Sequence, residues 1–343
     1  MSKAFTVVDG LNRDWFAFAQ SRPEATTFHH PAWSALLANT YRYRPLVLIQ
    51  TDQERIVAGL PMLEVRSWVT GHRFISLPFT DYCSPLSVDA DSLGRFAANL
   101  MAWRERIGSP SVEVRDRLPD LPQVSVTSNA LRHVLPLDSD IHRLEKGLSR
   151  SWVGGIRRAR KEGVEVDMTR SAEGVLSFYR LHCLTRRRLG IPVQPKRYFR
   201  NLWERIIEPG LGFTSLARKS GKPIAASVFL SWNGNLIYKY SASDSGHWRE
   251  RPNHLAIWAA VEWGLSNGCR SVDFGRTLLE HAGLRSFKRG LGSIEMPLEY
   301  SFIGPKPRQT IDGSVMRATS RVIKSSPPIV GRAVGEILYR HFP

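Results

Sequence analysis

FTSLARKSGKPIAASVFLSWNGNLIYKYSA, residues 213–242, holds three strand-like runs, Phe213–Arg218, Pro223–Trp232 and Leu236–Ala242. Asn233-Gly234 between the last two is a tight-hairpin signal, because both central residues of such a turn need positive φ. The three runs therefore predict an antiparallel meander. Working outward, helices are expected near Gly174–Leu189 and Pro195–Ile207 on the N-terminal side. On the other side a loop passes through Pro252, Asn253 is the candidate cap of a helix ending near Gly268, and Arg270–Phe274 is the last clear strand. A meander followed by a crossover helix and another strand implies a mixed sheet flanked by helices.

The first half repeats this layout without repeating its letters. A helix near Pro31–Asn39, with proline in its first turn, precedes strands Pro45–Gln50, Ile56–Val65 and His72–Pro78. A turn-rich loop from Phe79 to Pro85, a helix near Asp91–Ile107 and a strand Ser111–Val114 follow. The expectation is an α/β fold of two similar domains, residues 1–145 and 146–304, joined near residues 140–150, then a basic helical tail over 305–343. In the tail, Lys and Arg outnumber Asp and Glu by seven to two, and apolar residues from Val315 to Ile323 and from Ile329 to Leu338 fall at helical spacing. Such a segment suits an anionic membrane surface or packing against the body.

The 343 residues fit about two domains. Forty-eight Lys+Arg against 31 Asp+Glu give a net charge of +17, which favours polyanionic partners. Cys83, Cys183 and Cys269 lie far apart and imply neither a disulfide framework nor a cysteine-rich metal site, so a reducing, cytoplasmic setting fits. The first residues carry Asp9 and Asp14 and no apolar core, unlike a signal peptide. The longest uncharged run, Pro223–Tyr238, is too short to span a bilayer. A soluble protein, or one peripheral at the inner membrane face, is expected.

G-x-S-x-G, Walker A and H-E-x-x-H sequences are absent, and Gly290-Leu291-Gly292 lacks the third glycine of a dinucleotide loop. His29 and His30, adjacent on an extended segment, would point opposite ways, so no metal is expected. Three constellations remain. Ile156–Lys161 carries four cations before Glu162, a surface suited to phosphate. Thr185–Gly190 puts three arginines at a helix end, where they also complement the helix dipole. Asp273-Phe274-Gly275-Arg276, at a strand end, is followed by Gly283–Gly290, which sets Lys288 among glycines and Phe287 away from carboxylates. An ammonium there suits an oxyanion formed in acyl transfer.

Taken in order, these segments resemble the FemAB-type peptidoglycan-bridge aminoacyltransferases and their GNAT-like relatives, from about Phe28 to Tyr300. The resemblance rests on His30-Pro31-Ala32-Trp33, Leu77–Leu86, Ile156–Val164, Thr185–Pro192, Tyr240–Asp244, Arg251-Pro252-Asn253, Asp273–Arg276 and Gly283–Lys288. It implies a tandem of two GNAT-like domains and an acyltransferase that binds no cofactor of its own. The donor would be aminoacyl-tRNA or acyl-CoA, with tRNA as a partner in the first case. The acceptor would be an amine of a phosphorylated or lipid-linked cell-envelope precursor. By the same resemblance Lys288 matches the lysine held to stabilise the oxyanion, and Arg157 lies in the segment that supplies a phosphate-binding arginine. Asp81 and Tyr82 fall in the loop lining the acceptor cleft. The other matched motifs nominate Arg186, Tyr240, Asp244, Asn253, Asp273 and Arg276 as substrate-binding. The chain departs from the family in lacking a long coiled-coil arm. Its loop Ser243–Arg251 also lacks the Q/R-x-x-G-x-G/A sequence with which ordinary GNAT enzymes cradle pyrophosphate. A non-catalytic nucleic-acid or anionic-lipid binder is the rival expectation raised by the charge. The tryptophans speak against it, since Trp258 and Trp263 sit in apolar periodic segments.

Overall fold

The computed structural model describes residues 3–109, 111–138, 140–305 and 313–341. The chain begins β1 (Lys3–Asp9), α1 (Arg13–Ser21), α2 (Pro31–Tyr41), β2 (Arg44–Asp52), β3 (Arg55–Ser67) and β4 (Gly71–Ile75). It continues β5 (Leu86–Ser87), α3 (Ala90–Arg106), β6 (Val112–Val114), β7 (Val124–Pro136), α4 (Ile141–Gly147), α5 (Arg150–Lys161) and β8 (Glu165–Thr169). Next come α6 (Ala172–Leu189), α7 (Lys196–Leu202) with a π-helical extension Trp203–Ile207, β9 (Gly212–Lys219), β10 (Lys222–Trp232) and β11 (Asn235–Ser243). A 3-10 turn, Ser245–Glu250, leads to α8 (Pro252–Ser266), β12 (Ser271–Leu278), α9 (Ala282–Arg289), β13 (Ile294–Ile303), α10 (Gly313–Ser325) and α11 (Pro328–Leu338).

Two compact units result. The first holds the described residues of Met1–Asn129, Leu298–Thr310 and Leu338–Pro343; the second holds those of Ala130–Pro297 and Ile311–Ile337. The expected divisions were at 145 and 304. The chain instead changes unit along strands. Ala130–Pro136 of β7 pair antiparallel with β12, which takes them into the second unit, and Ser301–Ile303 of β13 pair with β6 in the first. The strands β1, β7, β8 and β13 carry no strict apolar alternation and were not anticipated. β8 and much of β13 are half-exposed, so burial imposes little pattern on their sequences.

Within the first unit the strand order is β1-β2-β3-β4-β6, with β13 beyond β6 and β5 on β3. Within the second it is β7-β12-β11-β10-β9-β8. Each unit therefore contains an antiparallel meander, β2-β3-β4 or β9-β10-β11, then a crossover helix and a parallel strand. This is the mixed α/β fold of two GNAT-like domains. Asn233 (φ 51°) and Gly234 (φ 71°) adopt the two positive φ values that the β10–β11 hairpin requires. The second unit's core is filled by Trp152, Phe213, Phe229, Trp258 and Phe274, each at most 2% exposed. Burying a side chain of this size is worth about 1.5–3 kcal/mol.

Residues 313–337 of the expected tail belong to the second unit. Ile323 is buried, α10 packs on α6, and the Val193 amide donates to the Gly331 carbonyl at 3.0 Å. Glu336 faces Arg197 at 3.8 Å. Of the other tail positions, Pro305 and Leu338–His341 belong to the first unit, and residues 306–312, 342 and 343 lie outside the described residues. Among the described residues no helix is long and apolar enough to cross a membrane.

Candidate functional site

β11 and β12 are parallel neighbours, but their pairing covers only Asn235–Ile237 and Ser271–Asp273. β11 then runs on to Ser243 and β12 to Leu278, so the ladder stops well before either strand does. The carboxyl ends of adjacent parallel strands are where α/β sheets most often seat ligands. A bulge accompanies the change. Against β7, Asp273 faces Val134 and Arg276 faces Arg132, so Phe274 and Gly275 share one partner, His133. Gly275 has φ 69°, a left-handed conformation that a side chain would strain. The Asp273 carboxylate, paired with Arg132, accepts the Gly275 amide at 2.7 Å and fixes the bend.

The bulge presents two carbonyls to α9. Lys288 Nζ donates to the Gly275 oxygen at 3.1 Å and to the Arg276 oxygen at 3.2 Å, and Lys288 is only 5% exposed. The ammonium is thus held inside the protein rather than in bulk water. α9 is itself anchored. Trp152 Nε1 donates to the Phe287 carbonyl at 2.7 Å, and its ring lies 4.8 Å from that of Phe287 and 4.6 Å from that of His254. A Cβ at Gly290 would fall 2.5 Å from the Trp152 ring, so only glycine permits this approach. Arg285 grips Glu295 with two bonds of 3.0 Å.

The strand pairing also brings His133, which no motif singles out, beside this lysine. Its ring is fully buried, and neither nitrogen has a hydrogen-bond partner. Burial, and then the Lys288 charge, lowers its pKa to about 4, so the imidazole is neutral near pH 7. The missing signal was the bulge, which is a property of pairing between distant strands.

A concavity of about 660 Å³ opens between α5, the 3-10 turn and the start of α8, with Arg158, Arg249, Arg251, Trp248 and His254 around it. No side chain caps α8: Arg251 occupies the cap position with φ 55°, and Pro252 opens the helix. Asn253, the expected cap, lies inside the first turn instead. Its Nδ2 reaches Ser243 Oγ at 3.4 Å, while its buried Oδ1 has no partner. Asp244 caps the 3-10 turn by accepting from the Gly246 amide at 3.0 Å. Pro252 has no N–H and the His254 amide donates to the Arg251 carbonyl at 3.1 Å, so it is the three guanidiniums that make the pocket electropositive. Trp248 is exposed and lies under the Arg188 guanidinium at 4.5 Å, unlike the packed Trp258.

The structure gathers Lys288, Asp273 and Arg276 at the bulge, and Asp244 with Asn253 at the turn before α8. Arg276 enters through its backbone, its side chain being exposed. Arg186 and Tyr240 meet around the buried His182: Arg186 Nε lies 3.3 Å from His182 Nε2, and the Tyr240 and His182 rings are 6.0 Å apart. Tyr240 Oη pairs with Tyr198 Oη at 2.8 Å. The basic run of α5 is divided between two faces. Arg158 faces the pocket just described, while Arg157 and Arg160 line a separate one, about 360 Å³, with Lys146 and Trp258. Asp81 and Tyr82 belong to the first unit. Tyr82 is buried edge-on against Phe28, and the Asp81 carbonyl accepts from Tyr300 Oη at 2.6 Å. All three cysteines are buried, and the described residues hold no cluster suited to a metal.

Residues 150–289 match the family model described as an acetyltransferase (GNAT) domain. No curated protein matches the chain. Among solved structures, FemX superposes with a TM-score of 0.67 at 14% identity, covering 93% of this chain and all of FemX. The C-terminal domain of a putative lysylphosphatidylglycerol synthetase from Agrobacterium fabrum gives 0.55 at 10% identity, covering 90% of this chain and 97% of that one. A tandem GNAT protein from the clavulanic acid biosynthesis pathway gives 0.53 at 11% identity, covering 89% of this chain and all of that one. Residues 150–289 thus carry an acetyltransferase (GNAT) domain, and in fold the chain is similar to FemX and to tandem GNAT proteins.

Proposed function

We propose that this protein transfers an acyl or aminoacyl group from an activated donor to an amine, with Lys288 as the catalytic cation and the end of the β11–β12 ladder as the reaction site. The observation that carries this reading is the burial of Lys288 Nζ on the Gly275 and Arg276 carbonyls, where β12 has parted from β11. In the reaction the amine attacks the carbonyl carbon of an ester or thioester, and negative charge gathers on the carbonyl oxygen. A fixed ammonium in a dry site stabilises that charge far better than water does. Collapse breaks the C–O or C–S bond, and the amine's proton goes to the leaving oxygen or sulfur. Orientation of the two substrates contributes much of the rest, up to roughly 7–11 kcal/mol for well-placed pairs.

The pocket of Arg158, Arg249 and Arg251 suits the phosphates of the donor, acyl-CoA or aminoacyl-tRNA. We assign the acceptor to phosphorylated or lipid-linked cell-envelope precursors, a reading supported by the sequence resemblance and by the neighbour named for lysylphosphatidylglycerol synthesis. The exposed Val322, Ile329 and Ile337 beside Arg321 and Lys324 would suit an anionic membrane at the cytoplasmic face. The deciding experiment offers purified protein labelled aminoacyl-tRNA and labelled acyl-CoA in single-turnover reactions with amine acceptors. Product from either donor, reduced about 10²-fold or more by Lys288→Ala at unchanged donor binding, is the expected result. Equal product from the variant removes Lys288 from the mechanism. No product from either donor, with salt-sensitive polyanion binding instead, favours the non-catalytic binder.

A further inference from the structure

Arg42, Arg44, Arg66 and Arg340 surround a recess of about 450 Å³ on the first unit, floored by Tyr41 and Tyr43. The local sequence explains how it forms. Arg42 closes α2 with φ 61°, its amide donating to the Ala38 carbonyl at 2.7 Å. That turn sends Tyr41 and Tyr43 inward, stacked 5.6 Å apart, and leaves Arg42 and Arg44 at the surface. Arg66 comes from β3, which runs antiparallel to β2 with Glu64 opposite Arg44.

The fourth arginine arrives from the end of the chain. Tyr43 Oη donates to the Arg340 carbonyl at 2.8 Å, while Ser67 Oγ and Thr70 Oγ1 donate to the His341 carbonyl at 3.3 and 3.1 Å. Trp68 Nε1 donates to His341 Nε2 at 3.2 Å, and the Tyr339 ring lies 5.7 Å from Phe79. The final turn is therefore tied down by side chains of the β3–β4 hairpin, with Arg340 at the recess.

The charges do not balance. Glu64 is the sole acid at the recess among the described residues, and it is already engaged by Arg66 at 2.7 Å, His72 at 2.9 Å and Arg44 at 3.5 Å. Neither Arg42 nor Arg340 has a salt-bridge partner among the described residues. Behind the floor, Arg73 is buried, its Nε has no hydrogen-bond partner, and its nearest carboxylate, Glu113 at 3.8 Å, is held at 3.0 Å by Arg115. An excess of guanidinium charge around a concavity calls for an anion, and planar guanidinium forks match phosphate oxygens best.

We propose that this recess binds the phosphate group of a ligand, and that Arg340, delivered by the docked segment Tyr339–His341, completes the site. The assignment does not rest on the acyl-transfer reading. A soluble phosphorylated compound and an anionic phospholipid headgroup share this chemistry, and the test separates them. The full chain is titrated calorimetrically at low salt with inorganic pyrophosphate, and floated with phosphatidylglycerol or phosphatidylcholine vesicles. Arg42→Ala/Arg340→Ala is compared with Arg249→Ala/Arg251→Ala, which alters the pocket in the second unit. Weakening of pyrophosphate binding about 10-fold or more in the first pair, at unchanged melting temperature, supports a soluble ligand. Loss of phosphatidylglycerol flotation alone in that pair supports a lipid headgroup. The proposal is overturned if the Arg42/Arg340 pair leaves both readouts as in the unaltered chain, or if the unaltered chain engages neither probe.

Discussion

The parallel strand pairs β4/β6 and β11/β12 stand at corresponding places in the two units, and they end differently. In the first unit the pairing of Phe74–Ile75 with Val112–Glu113 is continued by a loop that stitches the strand ends together. Ser76 N reaches Glu113 O at 2.9 Å, Arg115 N reaches Ser76 Oγ at 2.7 Å, and Cys83 N reaches Arg115 O at 3.0 Å. The Arg115 guanidinium then spans Glu113 Oε1 and the Thr80 carbonyl, at 3.0 and 2.6 Å. Leu77 and Phe79 hold positive φ values of 63° and 60° to make this closure, a strain of about 1–3 kcal/mol for each such residue. In the second unit β11 and β12 simply part, and the cation that sits there rests on two carbonyls. One unit commits Arg115 to structure; in the other, the proposed catalytic cation, Lys288, is held where the strands have separated.

The largest test of that contrast exchanges each cation for methionine. Arg115→Met leaves Glu113 facing Arg73 alone and frees the Thr80 carbonyl. Breaking such a buried pair costs about 3–5 kcal/mol, read as a lower denaturation midpoint. Lys288→Met removes a cation held on the Gly275 and Arg276 carbonyls, so it should shift that midpoint by less than Arg115→Met does while lowering single-turnover rate by about 10²-fold, near 2.7 kcal/mol in barrier. If Lys288→Met unfolds the chain as readily as Arg115→Met, both cations are structural and the contrast collapses.

What could be read beforehand follows the same division. The meanders and crossover helices were legible because one buried face imprints a period on the chain, and Asn233-Gly234 named its own turn. The resemblance singled out Lys288, and the structure buries it. The contacts of Lys288 were not legible, because Gly275 is a bulge only against β7, a strand whose apolar alternation fails at Ser128 and Arg132. His133 was invisible for the same reason. Tyr82 looked like a cleft residue from its motif and lies packed on Phe28, since a motif reports order along the chain and not which way a ring faces.

The histidines allow a milder test in both units. His29 and His30 in the first, and His133 and His254 in the second, all have pKa lowered to about 4, chiefly by burial. The unfolded chain, with histidines near 6.5, then binds more protons than the folded one between those values. Stability is full above about pH 6.5 and falls as pH drops toward 4. His254 lies against the Trp152 ring, with Arg251 adding to its depression, and its Nδ1 has no partner. His254→Phe should therefore flatten the acid limb by on the order of 1–3 kcal/mol in thermal melts between pH 7 and 4.5. An unchanged slope would mean that His254 is protonated in the folded state.

The smallest effect concerns how α9 is held. Trp152→Phe keeps an aromatic ring among Phe287 and His254 but deletes the N–H that bonds the Phe287 carbonyl. A single hydrogen bond of this kind contributes about 0.5–1.5 kcal/mol to stability, so the denaturation midpoint should move only slightly. Phe287 is the residue before Lys288, however, and a loosened carbonyl there lets the ammonium drift from Gly275 and Arg276. Turnover should fall several-fold more than stability alone accounts for, with donor binding unchanged, because Arg158, Arg249 and Arg251 are all kept. Equal losses in both readouts would make Trp152 a packing residue only. A loss confined to turnover would show that the position of one ammonium, set from a neighbouring helix, governs the rate.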